Sequence, residues 1–170
     1  MTMKKTLVTL ALASSLAIPQ LNAMVLKGEK ETVSPVYKPT KSAVKKAMDK
    51  MGIKYSIDKD GDLYYEMDKT GWKIYVVFNT MSNGKLWNLQ VMSQFGTKKS
   101  RYDELLAYVN KWNTEKKYPK VAMIDHDSMR LTLNFPIQYG FNPDEFEENV
   151  IDMFETTIKT IADDTDAMRR

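Results

Sequence analysis

Two stretches of strict alternation face each other across Ser82-Asn83-Gly84-Lys85, and they restrict this chain more than any other feature. Trp72, Ile74, Val76 and Phe78 line one side before the turn; Trp87, Leu89, Val91 and Phe95 line one side after it. A period of two puts such residues on one face of a strand, and Asn-Gly between two such runs is a strong hairpin signal. The chain is thereby committed to a sheet with one apolar face, and that face needs a cover.

Helical spacing elsewhere supplies the cover. From Thr40 to Met51 the residues Ala43, Val44, Ala47, Met48 and Met51 share one side, while Lys41, Lys45, Lys46 and Lys50 take the other. Gly52 stands where a left-handed cap is wanted. A second helix is predicted from Arg101 to Asn113, with Tyr102, Leu105, Leu106, Val109 and Trp112 as its stripe. A third starts at Asn142-Pro143-Asp144-Glu145, where Asn142 caps, Pro143 suits the first turn and Glu145 completes a capping box. Its buried stripe is Phe146, Val150, Met153, Phe154, Thr157, Ile158 and Ile161.

The remaining strands are shorter. Ile53, Tyr55 and Ile57 alternate, and Asp58-Lys59-Asp60-Gly61-Asp62 turns the chain into Leu63 to Met67. Asp68-Lys69-Thr70-Gly71 turns it again. Val121 to Ile124 and Met129 to Phe135 form a hairpin around Asp125-His126-Asp127-Ser128, with Met129, Leu131, Leu133 and Phe135 inward. The predicted order is α-β-β-β-β-α-β-β-α: an α+β fold in which an antiparallel sheet of five or six strands carries three helices on one face.

Ahead of the domain, Met1 to Lys5 carries Lys4 and Lys5 and no acidic residue, followed by an apolar run from Leu7 through Ile18, then Pro19 and Leu21-Asn22-Ala23. A positive head, a short apolar centre and a small residue at the end are the parts of a secretory signal. The run falls short of the about 20 apolar residues needed to span a bilayer. Lipid attachment at the cleavage site would need a cysteine, and the chain has none. Residues 1–23 are therefore expected to be a cleaved signal peptide, 24–39 a flexible leader with two prolines, and 40–168 a single domain. The expected location is exported and periplasmic, with no membrane insertion after cleavage near Ala23.

Cleavage would leave 147 residues, enough for one packed core, with 23 basic against 22 acidic side chains. So even a balance, with no nucleic-acid motif, gives no reason to expect nucleic-acid binding. Absence of cysteine excludes disulfides, thiolate zinc sites and a cysteine nucleophile.

The second helix and its exit, Val109-Asn110-Lys111-Trp112-Asn113-Thr114-Glu115-Lys116-Lys117-Tyr118-Pro119-Lys120-Val121, resemble the hallmark of the YbjN domain family. The pattern is similar to Asn, a basic residue, Trp and Asn, then charged residues, an aromatic, Pro and a basic residue. Asp60-Gly61-Asp62-Leu63, Asp125 to Leu133 and Gly140-Phe141-Asn142-Pro143-Asp144-Glu145 resemble other parts of the family, so the similarity spans about 40–162. It implies a fold like that of type III secretion chaperones, often dimeric, and a role as a sensory-transduction regulator, with no catalytic residues to carry over. The signal segment departs from the commoner members. Read physically, Asn110, Trp112, Asn113, Tyr118 and Pro119 form a structural corner. Trp112 completes the stripe, Asn113 ends the helix, Asn110 bonds the following loop, and Tyr118-Pro119 aim the chain into the next strand.

Other chemistry is weaker. In Asp58-x-Asp60-Gly61-Asp62 the glycine is fourth rather than sixth, and Lys69 stands where a calcium loop needs glutamate, so a solvated turn is expected. His126 is the only histidine and lies at a predicted hairpin tip, without the further ligands a metal requires. No nucleophile elbow, P-loop or dinucleotide fingerprint occurs. Neither metal nor cofactor is expected. Residues 142–168 carry nine acids and one lysine, and 38–54 carry six lysines and Asp49, so the two segments are expected to neutralise each other, within one subunit or across a dimer, the alternative being an acidic surface that recruits a basic partner.

If the apolar faces point to the helices, the other face of the sheet shows Tyr64, Tyr75, Val77, Asn88, Gln90 and Met92, with Arg130 and Thr132. Aromatic and Met side chains among polar groups suit an adaptable protein interface. The functional expectation is a non-enzymatic exported protein-binding or regulatory module, binding a protein partner or a second copy through this face. The alternatives are a small-ligand-binding protein or hydrolase using a carboxylate pair, and a structural role in envelope stress.

Overall fold

The computed structural model describes residues 35–67 and 71–169; the expected signal segment, the first part of the leader and the turn at 68–70 lie outside the described residues. Helix α1 (Lys41–Lys50) starts on the hydroxyl oxygen of Thr40, which accepts from the Ala43 N–H at 3.1 Å. It buries Val44, Ala47 and Met48 and gives way to Gly52 at φ 73°, a conformation that glycine adopts without steric cost.

Six strands follow in two groups: β1 (Ser56–Ile57), β2 (Leu63–Met67), β3 (Trp72–Thr80) and β4 (Leu86–Gly96), then β5 (Lys120–Asp125) and β6 (Ser128–Pro136). They make one antiparallel sheet in the order β1-β2-β3-β4-β6-β5. Between the groups lie a 3-10 turn (Lys99–Arg101) and α2 (Tyr102–Glu115), which brings the chain to the far edge so that β6 can return beside β4. Leu63, Ile74, Val76, Leu89, Val91, Leu131 and Leu133 are buried on one face with the apolar stripes of the helices.

Trp87 departs from expectation. Thr80 pairs with Leu86 and Asn79 with Asn88, so Trp87 is an extra residue in β4. Such a bulge interrupts the alternation. Leu86 takes the inward place at 6% exposure, and Trp87, expected inward, is 39% exposed.

The last helix is not uniform. Asn142 accepts from the N–H groups of Asp144 and Glu145, starting α3 (Pro143–Phe146). A wide π turn (Glu147–Asp152) leads into α4 (Met153–Asp164), and α5 (Asp166–Arg169) ends the described chain. The wide turn brings both Val150 and Ile151 into the core, which the ordinary helical period did not indicate for Ile151. Two backbone bonds join Tyr37 to Phe141, at 2.8 and 2.9 Å, so the end of the expected leader is tied to the entry of this helix. Lys50 bridges to Asp144 at 3.0 Å, so the basic and acidic segments meet within one chain.

Candidate functional site

The corner at the end of α2 is built by side chains bonding to backbone. The Trp112 indole N–H donates to the Pro119 carbonyl at 3.0 Å, and the Tyr118-Pro119 peptide is cis. Asn113 donates from Nδ2 to the Val121 carbonyl at 2.7 Å and accepts at Oδ1 from the Val121 N–H at 3.1 Å. Lys120 reaches back to the carbonyls of Asn113 and Lys116, at 3.2 and 3.3 Å. Two expectations need correction. The helix continues to Glu115 rather than ending at Asn113, and the bond to the following loop comes from Asn113, while Asn110 is exposed on α2. Tyr118 is also exposed.

The uncovered face of the sheet holds the residues the alternation assigned to it. Tyr64 pairs with Tyr75, Tyr75 with Met92, Met92 with Thr132, and Val77 with Gln90. Tyr64, Tyr75, Val77, Gln90, Met92, Arg130 and Thr132 are all half-buried. The two tyrosine rings lie 5.8 Å apart, and the Lys73 ammonium sits 5.8 Å from the Tyr64 ring centre. Arg130 donates twice to Gln94, at 3.2 and 2.8 Å. A shallow hollow of about 390 Å³ lies among Gly71, Lys73, Tyr75, Met92 and Gln94. Asn88 is the exception: it occupies its expected row at 2% exposure, with Nδ2 donating to Asn134 Oδ1 at 3.3 Å. It is not available to a partner in this state.

The turn carboxylates hold backbone. Asp58 Oδ1 accepts from the N–H groups of Asp60 and Asp62, both at 2.9 Å, and Asp62 Oδ1 accepts from Phe78 N–H at 2.8 Å. His126 occupies the tip between β5 and β6, its ring centre 4.5 Å from that of Tyr102. Among the described residues no group of three His, Cys, Asp or Glu side chains is placed to hold a metal, and no helix is long and apolar enough to cross a membrane.

Two further hollows flank α1. One, of about 490 Å³, lies between α1 and the segment from Tyr37 to Thr40, with Lys38, Lys46 and Lys50 around Ala43, Ala47 and Pro143. The other, of about 370 Å³, at the exit of α1, has Glu66, Glu147, Asp152 and Glu155, with Lys54, around Met51, Ile53 and Ile151. There the Tyr65 hydroxyl donates to Glu155 at 2.9 Å. Neither hollow was legible in the sequence, because each joins segments that meet only after folding.

A profile of the YbjN family, described as "Putative bacterial sensory transduction regulator", matches residues 40–167. Among solved structures the chain is similar to the crystal structure of YbjN from E. coli, itself described as "a putative transcription regulator". The two share 13% identity at a TM-score of 0.63, over 78% of this chain and 95% of that one. No curated protein matches.

Proposed function

The chain belongs to the YbjN family, and from that premise we propose that it is an exported, non-enzymatic regulatory module that holds a protein partner on the open face of its sheet. The observation that carries this reading is the row Tyr64-Tyr75-Met92-Thr132, continuous across four strands and covered by no other element among the described residues. Such a row offers aromatic and thioether surface at low entropic cost, with Lys73 and Arg130 to orient a partner. Export is supported by the basic head, short apolar run and Leu21-Asn22-Ala23 of the first segment.

The test is crosslinking of the full chain in cells, beside Tyr75→Asp. A charge on that row removes a partner held there and leaves the buried face untouched, so one protein recovered in stoichiometric amount and lost with Tyr75→Asp is the expected result. A self-crosslink lost with the same substitution makes the partner a second copy. Recovery unaffected by Tyr75→Asp moves binding off this face. Fractionation of cells checks export: the shortened chain belongs in the periplasm, and its retention in the cytoplasm refutes that part.

The acidic hollow favours a second reading, a hydrolase or small-ligand protein using Glu66 and Glu155. Turnover of ester or glycoside substrates that is lost with Glu66→Gln would establish it in place of the first.

A further inference from the structure

The lysine-rimmed hollow beside α1 is independent of the sheet face, and its chemistry is sharper. Its floor is small and apolar: Ala43 and Ala47 lie one helical turn apart and Pro143 closes one end. Its rim carries Lys38, Lys46 and Lys50, all exposed. A volume of about 490 Å³ is within the range of ligand pockets and admits a bulky side chain or two.

Lys50 shows what such a rim accepts. Its exposed ammonium holds the half-buried Asp144 carboxylate at 3.0 Å, a surface ion pair of small net worth. Lys38 and Lys46 have no ion-pair partner among the described residues. Segment 38–54 is net +5, and cations gathered around an apolar floor attract acidic residues that alternate with apolar ones. We propose that this groove binds an acidic peptide segment of a partner protein, an apolar side chain seated on Ala43, Ala47 and Pro143 and carboxylates taken by Lys38 and Lys46.

Anisotropy of a fluorescein-labelled peptide of alternating aspartate and leucine, titrated with the full chain, tests this. Binding should saturate below about 1 mM and weaken as salt rises. The double substitution Lys38→Glu/Lys46→Glu should weaken it about tenfold or more, while Lys38→Arg/Lys46→Arg retains it. The same peptide with lysine in place of aspartate should not bind. Tyr75→Asp should leave peptide binding intact, which separates this groove from the sheet face. No saturation, equal binding of the lysine peptide, or equal binding by the Lys38→Glu/Lys46→Glu chain with an unchanged melting temperature would each overturn the proposal.

Discussion

The Asn113 carboxamide occupies the two backbone groups of Val121 that a further strand would otherwise take. β5 is an edge strand, and an unpaired edge invites pairing with other chains. A side-chain amide with one donor and one acceptor imitates a neighbouring peptide unit and blocks that step. Asn113→Ala should therefore lower stability by about 1–3 kcal/mol, since it leaves both groups unmet, and should raise the tendency to aggregate; urea unfolding and light scattering measure the two effects. Trp112→Phe keeps the apolar contact but loses the bond to Pro119, and should cost about 1 kcal/mol. Tyr108 supplies a pH prediction. Burial, then its bond and proximity to Asp164, hold its hydroxyl well above the ordinary tyrosine value of 10.0. A raised folded-state value stabilises fully below the unfolded-state value and is lost as pH climbs through the folded one. Stability should thus be insensitive to this group up to about pH 10 and decline above it. Tyr108→Phe, by the same urea midpoints, should show a shallower alkaline decline.

Among the elements, Gly140 is required by its neighbour rather than by its own backbone. A Cβ there would lie 2.3 Å from Val36 Cγ1. Val36 is 63% exposed and can turn aside, so Gly140→Ala should cost no more than about 1 kcal/mol, and Val36→Ala in the same chain should restore most of it, by thermal unfolding of the four members of the cycle. Gly140 stands out in the sequence only through the resemblance at 140–145, and its contact with Val36 is not legible there, because their meeting depends on the pairing of Tyr37 with Phe141. Elements whose own sequence states a period and a cap were readable: α1 between Thr40 and Gly52, the start at Asn142, and the inner rows of β3 and β6. What was not readable is where a period slips. The bulge at Trp87 is set by how the loop after Thr80 closes, and the wide turn at Glu147–Asp152 by what the core needs at Ile151. The expected strand at Ile53, Tyr55 and Ile57 shrank to Ser56–Ile57, although Ile53 and Tyr55 still pack on the core. Burial there is achieved without a ladder.

For the molecule as a whole, the open sheet face was legible because alternation fixes both faces at once; an inward row implies an outward one. The grooves beside α1 were not, since charge in a linear chain says nothing of which lysines surround an apolar floor. The two surfaces should respond differently to ionic strength. Partner capture at the Tyr64-Tyr75 row should persist in salt, whereas any contact at the lysine rim should fade over a few hundred millimolar, and recovery on beads washed at increasing salt distinguishes them. The Tyr37–Phe141 bridge matters to the second of these surfaces. It joins positions roughly a hundred residues apart, so closing it carries a loop entropy that the folded elements between them have already met. Tyr37 is one wall of the lysine groove, so the groove keeps its shape only while that bridge is closed.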